Sequence, residues 1–150
     1  MFDKYIKYGV KITRKDGKKR VTGIPKNWQK LTESSFNNQD NFAILTGKLN
    51  DILVIDIDNK EDMPGKAWFE ETLGPIDELN TLVTKTINGG YHIYYKFNES
   101  IKNSNNFLGK HIDVLVTGKC VYEGKGYTVI RNYKPIAPSD DIVKLFLNTI

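Results

Sequence analysis

The chain predicts an α+β fold, a mostly antiparallel sheet flanked by helices, in one domain over residues 1–150. Three observations predict it. Asp16-Gly17 and Asn88-Gly89 each sit between β-rich runs, the signature of antiparallel hairpins. Helical segments interrupt these runs irregularly, instead of alternating with every strand. Neither G-x-G-x-x-G nor G-x-x-x-x-G-K-[ST] occurs, so the parallel nucleotide-binding folds lack their fingerprints.

The elements follow in order. YGVKITRKDGKKRVTGI reads as a first hairpin turning at Asp16-Gly17. Its basic residues suit either a charge-protected edge strand or a template-contacting patch. IPKNWQKLTE reads as a turn into a short helix with Trp28 buried. NFAILTGKLNDILVIDIDN supplies two short strands around the turn from Gly47 to Asp51. The second, Ile52 to Asp58, is apolar on both faces until its end, as a central strand is. EDMPGKAWFEETLG is a helix with Asp62 as the expected cap, Pro64 in the first turn and Gly74 as the stop. The Asn88-Gly89 hairpin follows, then strands at HIDVLV and GYTVIRNYK. PSDDIVKLFLNTI begins a helix capped by Ser139. It runs to an apolar Ile150 without a stop signal, so the expectation is a domain of a longer protein.

Composition narrows the function classes. With 150 residues the chain is long enough for a real core. It has no apolar run of membrane-spanning length and no signal-peptide pattern at its start. One cysteine and two histidines leave too few nitrogen and sulfur ligands for a structural zinc site. An intracellular protein is therefore expected. The net charge of +4 permits an anionic partner without requiring one.

The chemistry-bearing residues form two groups. Asp56 and Asp58 alternate with Ile55 and Ile57, so both point to one face of their strand, about 7 Å apart. Two such carboxylates repel, and a hard divalent ion such as Mg²⁺ relieves the repulsion. The competing reading has Asp58 capping the next turn and Asp56 half exposed. Asp113 lies within an apolar strand and must find a partner or face water. If its strand neighbours that of Asp56, three carboxylates converge. Such a set can hold two metal ions for phosphoryl or nucleotidyl transfer.

The second group surrounds NGGYH. A two-residue loop at Asn88-Gly89 would place Lys85 directly across from His92. These two side chains and the Gly89 and Gly90 N–H groups would then form a triphosphate cradle. The alternative is an exposed basic pair without consequence. Tyr91, Tyr94 and Tyr95 are either base-stacking platforms or core residues.

Taken together, NFAILTGKLNDILVIDID, TLVTKTINGGYHIYY and IDVLVTGKCVYEG resemble the primase-polymerase catalytic domain of the archaeo-eukaryotic primase superfamily. The likeness is to the versions in plasmid and viral replication proteins, including helicase-primases. Its ordered motifs are apolar-Asp-apolar-Asp, small-Gly-Gly-x-His and apolar-Asp. These correspond to Asp56 with Asp58, to Asn88 through His92, and to Asp113, with Pro25 and Trp28 upstream. The resemblance covers roughly residues 24–134, with departures that include the absence of a zinc-binding insertion and of an adjacent helical domain. Leu115 and Val116 follow the third motif where many relatives carry a basic residue, and VYEGKGY replaces a small-Pro-rich stretch.

The resemblance implies a two-module fold with an RRM-like sheet and the site between the modules. It implies template-directed primase or polymerase chemistry with two Mg²⁺ or Mn²⁺ ions held by Asp56, Asp58 and Asp113. His92 would contact the phosphates of the incoming nucleotide, and Lys85 occupies a position where relatives often carry a basic residue. The implied partners are a single-stranded DNA template, NTP or dNTP, and a helicase domain or subunit. A catalytically silent nucleic-acid or nucleotide-binding module is the alternative from another class. A D-x-D glycosyltransferase fits poorly, because the parallel element order it needs is missing.

Overall fold

The strand expected around Ile52–Asp58 is the organising element of the larger of two sheets. The computed structural model describes residues 4–12, 28–30 and 41–147. The smaller sheet holds β1 (Tyr8–Ile12), β2 (Gln29–Lys30), β3 (Asn41–Leu45) and β8 (Cys120–Gly124), in the order β2-β1-β3-β8. The larger holds β4 (Leu53–Ile57), β5 (Val83–Lys85), β6 (Tyr91–Tyr95), β7 (Ile112–Leu115) and β9 (Thr128–Arg131), in the order β7-β4-β6-β5-β9. Among the described residues these strands all pair antiparallel. Among the described residues the α-helices are α1 (Pro64–Leu73) and α2 (Asp140–Leu147). Within the larger sheet, β4, α1, β5, β6 and β7 follow one another, and their strands lie in the RRM-like order fourth-first-third-second. The fold is thus α+β, as expected.

Alternation along β4 explains its central place. Leu53, Ile55 and Ile57 join Phe69 of α1, Ile142 and Phe146 of α2, and Ile93 and Val114 in one core. Val54 faces the other way, against Ile44 and Val121 of the smaller sheet, with Ile6, Leu82 and Tyr94. A strand covered on both faces must be apolar on both, which is what its sequence shows. Each such fully buried side chain contributes about 1.5–3 kcal/mol. Asp56 is the exception, on the face that looks toward the smaller sheet.

The helices start and stop for local reasons. Pro64 occupies the first turn of α1, where its missing N–H costs nothing. Met63, not Asp62, holds the cap position, in a left-handed conformation without a side-chain cap. Gly74 ends the helix, its N–H donating to the Glu70 carbonyl at 2.9 Å. Ser139 caps α2 as expected, its Oγ accepting from the Ile142 N–H at 3.3 Å.

Gln29 and Lys30 pair with β1 as a strand, so the helix expected across IPKNWQKLTE does not cover them, and Trp28 is only half-buried. The two strands expected around the Gly47–Asp51 turn form as β3 and β4; they lie in different sheets, with an isolated bridge between Gly47 and Ile52 in the connection. β8 has no counterpart in the sequence reading. The Asp16-Gly17 turn lies outside the described residues.

Candidate active site

Register brings the motif residues together. Asp56 on β4 lies directly across from His92 on β6 and, on its other side, from Asp113 on β7. Directly opposed residues have Cβ atoms about 4.5–5.5 Å apart, so an acid, an acid and a histidine form one row across three strands. Asp58 follows on the same face just past the strand end, where its N–H donates to the His111 carbonyl at 3.0 Å. All four side chains line a cavity of about 380 Å³ between the two sheets, together with Cys120 and Tyr127. Asp113 finds a partner as well: its Oδ1 accepts from the Asn106 N–H at 2.9 Å.

Burial sets the electrostatics of the row. The Asp56 side chain is 22% exposed. Loss of water pushes its carboxyl up to about 6, with Asp58, Asp113 and Glu123 adding repulsion and His92 acting in the opposite sense. His92 is only 6% exposed. Burial opposes its charge, but the Glu123 carboxylate and its hydrogen bond, then Asp56 and Asp58, raise the ring to about 9. At neutral pH His92 is therefore an imidazolium held between two carboxylates. Its Nε2 lies 3.5 Å from Asp56 Oδ1, and its Nδ1 lies 2.9 Å from Glu123 Oε2.

Glu123, which meets His92 from the smaller sheet, is a residue that sequence reasoning missed. It projects from β8 into the space between the sheets and is 2% exposed. Its Oε2 also accepts from Thr84 Oγ1 at 2.8 Å and from the Tyr94 hydroxyl. Its Oε1 is buried and has no partner among the described residues. Tyr127 stacks on His92, with ring centroids 6.0 Å apart and planes 24° apart. The available signal was the one that singled out Asp113, a carboxylate at an inward position of an alternating β run.

The NGGYH loop differs from the expected one. Thr86 N–H donates to the Gly90 carbonyl and Gly89 N–H to the Thr86 carbonyl, each at 2.9 Å. Three residues, Ile87, Asn88 and Gly89, thus form the loop, with Gly89 at φ 86°. The extra residue shifts the pairing by one: Thr84, not Lys85, opposes His92, and Lys85 opposes Tyr91. A one-residue shift turns a side chain to the opposite face. Lys85 Nζ accordingly sits 6.0 Å from the Tyr91 ring, on the helix side of the sheet.

The expected glycine cradle changes too. The Gly89 N–H is engaged by Thr86, and the Gly90 N–H donates to Thr86 Oγ1 at 2.9 Å. What the structure requires of Gly90 is close approach: a Cβ there would lie 2.3 Å from the Ile57 carbonyl oxygen. Tyr91, Tyr94 and Tyr95 are all buried, so none offers a face for base stacking. Each belongs to one of the two cores.

For a metal, the donor set fits in kind. Asp56, Asp58 and Asp113 are hard oxygen donors that line one cavity. The side chains as oriented do not close on an ion: among the described residues, no three His, Cys, Asp or Glu are grouped so as to hold one. Also among the described residues, no helix is long and apolar enough to cross a membrane.

The family model described as bifunctional DNA primase/polymerase, N-terminal, matches residues 9–141. No curated protein matches the chain.

Proposed function

This chain belongs to the bifunctional DNA primase/polymerase N-terminal family, and from that premise we propose that its cleft performs template-directed nucleotidyl transfer in DNA replication. The observation that carries the reading is the row Asp113–Asp56–His92, set in register on three adjacent strands and facing a cavity. Substrates would be a nucleoside triphosphate and a single-stranded DNA template. Asp56, Asp58 and Asp113 would hold Mg²⁺ or Mn²⁺, ions that activate the attacking hydroxyl and stabilise the leaving pyrophosphate.

The chain's own residues do the positioning. Nδ1 of His92 is engaged by Glu123, so Nε2 is the nitrogen that faces Asp56 and the cleft. A buried imidazolium there donates a charged hydrogen bond to a polyphosphate oxygen. Cys120, Val121 and Tyr122 of the smaller sheet contribute a wall of the cleft.

Primer extension and unprimed synthesis on single-stranded DNA, with NTPs or dNTPs and Mg²⁺ or Mn²⁺, test the proposal. Extension should be lost in Asp56→Ala and Asp113→Ala. Absence of any product from folded protein that binds metal refutes it.

A second reading, a catalytically silent module that binds nucleotide or nucleic acid, is motivated by the net charge of +4 and the run of basic residues in YGVKITRKDGKKRVTGI. It requires Asp56→Ala to retain single-strand affinity, with no extension to lose.

A further inference from the structure

Buried carboxylates are costly unless hydrogen-bonded, and Glu123 is hydrogen-bonded in an uneven way. One oxygen receives three donors, from Thr84, His92 and Tyr94, while the other is buried without a partner among the described residues. All three donors belong to the larger sheet, whereas Glu123 belongs to the smaller. Around them the interface is apolar, with Ile44, Val54, Leu82 and Val121 in contact. Apolar packing could join the sheets without a charge. What it could not do is choose an orientation for the His92 ring.

An imidazole has two nitrogens, and turning the ring over exchanges them. Which one faces the site is set by the hydrogen bond the other makes. Here Nδ1 meets Glu123 at 2.9 Å, and Tyr127 lies nearly parallel to the ring. These two contacts leave one ring orientation, with Nε2 directed toward Asp56 and the cleft. The same logic governs a buried aspartate that holds a catalytic histidine in one orientation in the Ser-His-Asp triad.

We propose that Glu123 is the positioning residue of this site: from the opposite sheet it anchors His92 Nδ1 so that Nε2 points into the cleft. The inference rests on the proposed function for its consequence in catalysis, but not for its geometry. It also joins the two sheets functionally, since the acid row belongs to one and the anchor of its histidine to the other.

The test uses the whole chain and the variant Glu123→Gln, which keeps the size of the side chain and replaces its charge. Thr84→Val is the comparison, because it removes a different donor from the same oxygen and leaves the His92 contact in place. Glu123→Gln should lower the efficiency of nucleotide incorporation about 10- to 100-fold, mainly through the nucleotide KM, with template affinity within about 2-fold of the native protein. Thr84→Val should stay within about 3-fold on all these measures. Nitrogen-15 NMR of the imidazole rings provides a readout that needs no activity. The native protein should show a hydrogen-bonded, slowly exchanging Nδ1 proton on His92, and Glu123→Gln, whose amide oxygen is a weaker, neutral acceptor, should exchange it faster.

If the native protein lacks that proton, the inference is overturned, whether or not the variant folds. Unchanged nucleotide kinetics in folded Glu123→Gln also overturn it. If the NMR signature is present but the native protein incorporates nothing, the positioning role stands and the proposed function fails.

Discussion

Gly90→Ala isolates the role of the hairpin that carries His92. A Cβ at this position would sit 2.3 Å from the Ile57 carbonyl oxygen, 3.1 Å from Thr86 Oγ1 and 3.4 Å from the Asn59 N. The Thr86 hydroxyl can rotate away. The Ile57 carbonyl cannot, since it belongs to β4 between Asp56 and Asp58. Reaching even 3.0 Å requires a separation of about 0.7 Å, and the movement falls on the hairpin, because β4 is held on both sides. Overpacking of this kind costs about 1–3 kcal/mol. For a chain of this size each kcal/mol lowers the melting temperature by about 2–4 °C, so a fall of about 2–12 °C is expected. Tyr91 and His92 follow immediately, so the same shift opens the 3.5 Å approach of His92 to Asp56. Displacements near 1 Å in a reactive array cost about 10²-fold in rate. The assay is thermal unfolding beside primer extension, with Gly74→Ala as the comparison. At Gly74 a Cβ meets nothing within 4 Å, but φ is +85°, so that variant should be destabilised through its backbone without disturbing the site. Native-like melting and extension in Gly90→Ala would refute the reasoning, as would an equal loss of extension in Gly74→Ala.

Other expectations follow from the same geometry. Asp56→Asn should stabilise the metal-free protein at pH 7 by about 1–3 kcal/mol while abolishing extension. The sign follows from linkage: the folded-state carboxyl lies near 6, above its ordinary 3.8, so the folded state holds this proton more tightly than the unfolded chain. Its ionisation therefore lowers stability as pH rises from about 3.8 to about 6, and urea melts of the two proteins should converge below that window. His92 behaves as a group with a raised value, about 9 against 6.5. Its contribution is full below about 6.5 and disappears as pH rises through 9, which His92→Gln should abolish in the same melts. Ser139→Ala should cost about 1 kcal/mol in chemical denaturation and leave extension unchanged, because it removes only the α2 cap. Burial pushes the Cys120 thiol up, so alkylation at pH 7 should be slow, and slower still with nucleotide in the cleft that Cys120 lines.

Much of this protein is legible in one dimension. The period-two pattern and two-sided apolarity of Ile52–Asp58 identify a central strand. Asp56 and Asp58 alternate with isoleucines, and Asp113 stands out within an apolar run, because side-chain direction along a strand depends only on position in the chain. Pro64, Gly74 and Ser139 mark helix ends through local backbone chemistry. The three ordered motifs place this chain in its family before any distance is known.

Other features depend on which strands meet. The adjacency of Asp113, Asp56 and His92 required β7 and β6 to flank β4, although Asp113 lies 21 positions after His92 in the sequence. The single added loop residue in the Asn88-Gly89 hairpin moved Lys85 away from His92 and put Thr84 in its place, since strand periodicity turns a shift of one into a change of face. Glu123 acquires a role only because the smaller sheet packs against the larger, and no local pattern within VYEG encodes that packing. Chain-local rules thus identify the acids and the histidine. Register and sheet packing, set by contacts between distant residues, decide which groups they meet and how the histidine is held.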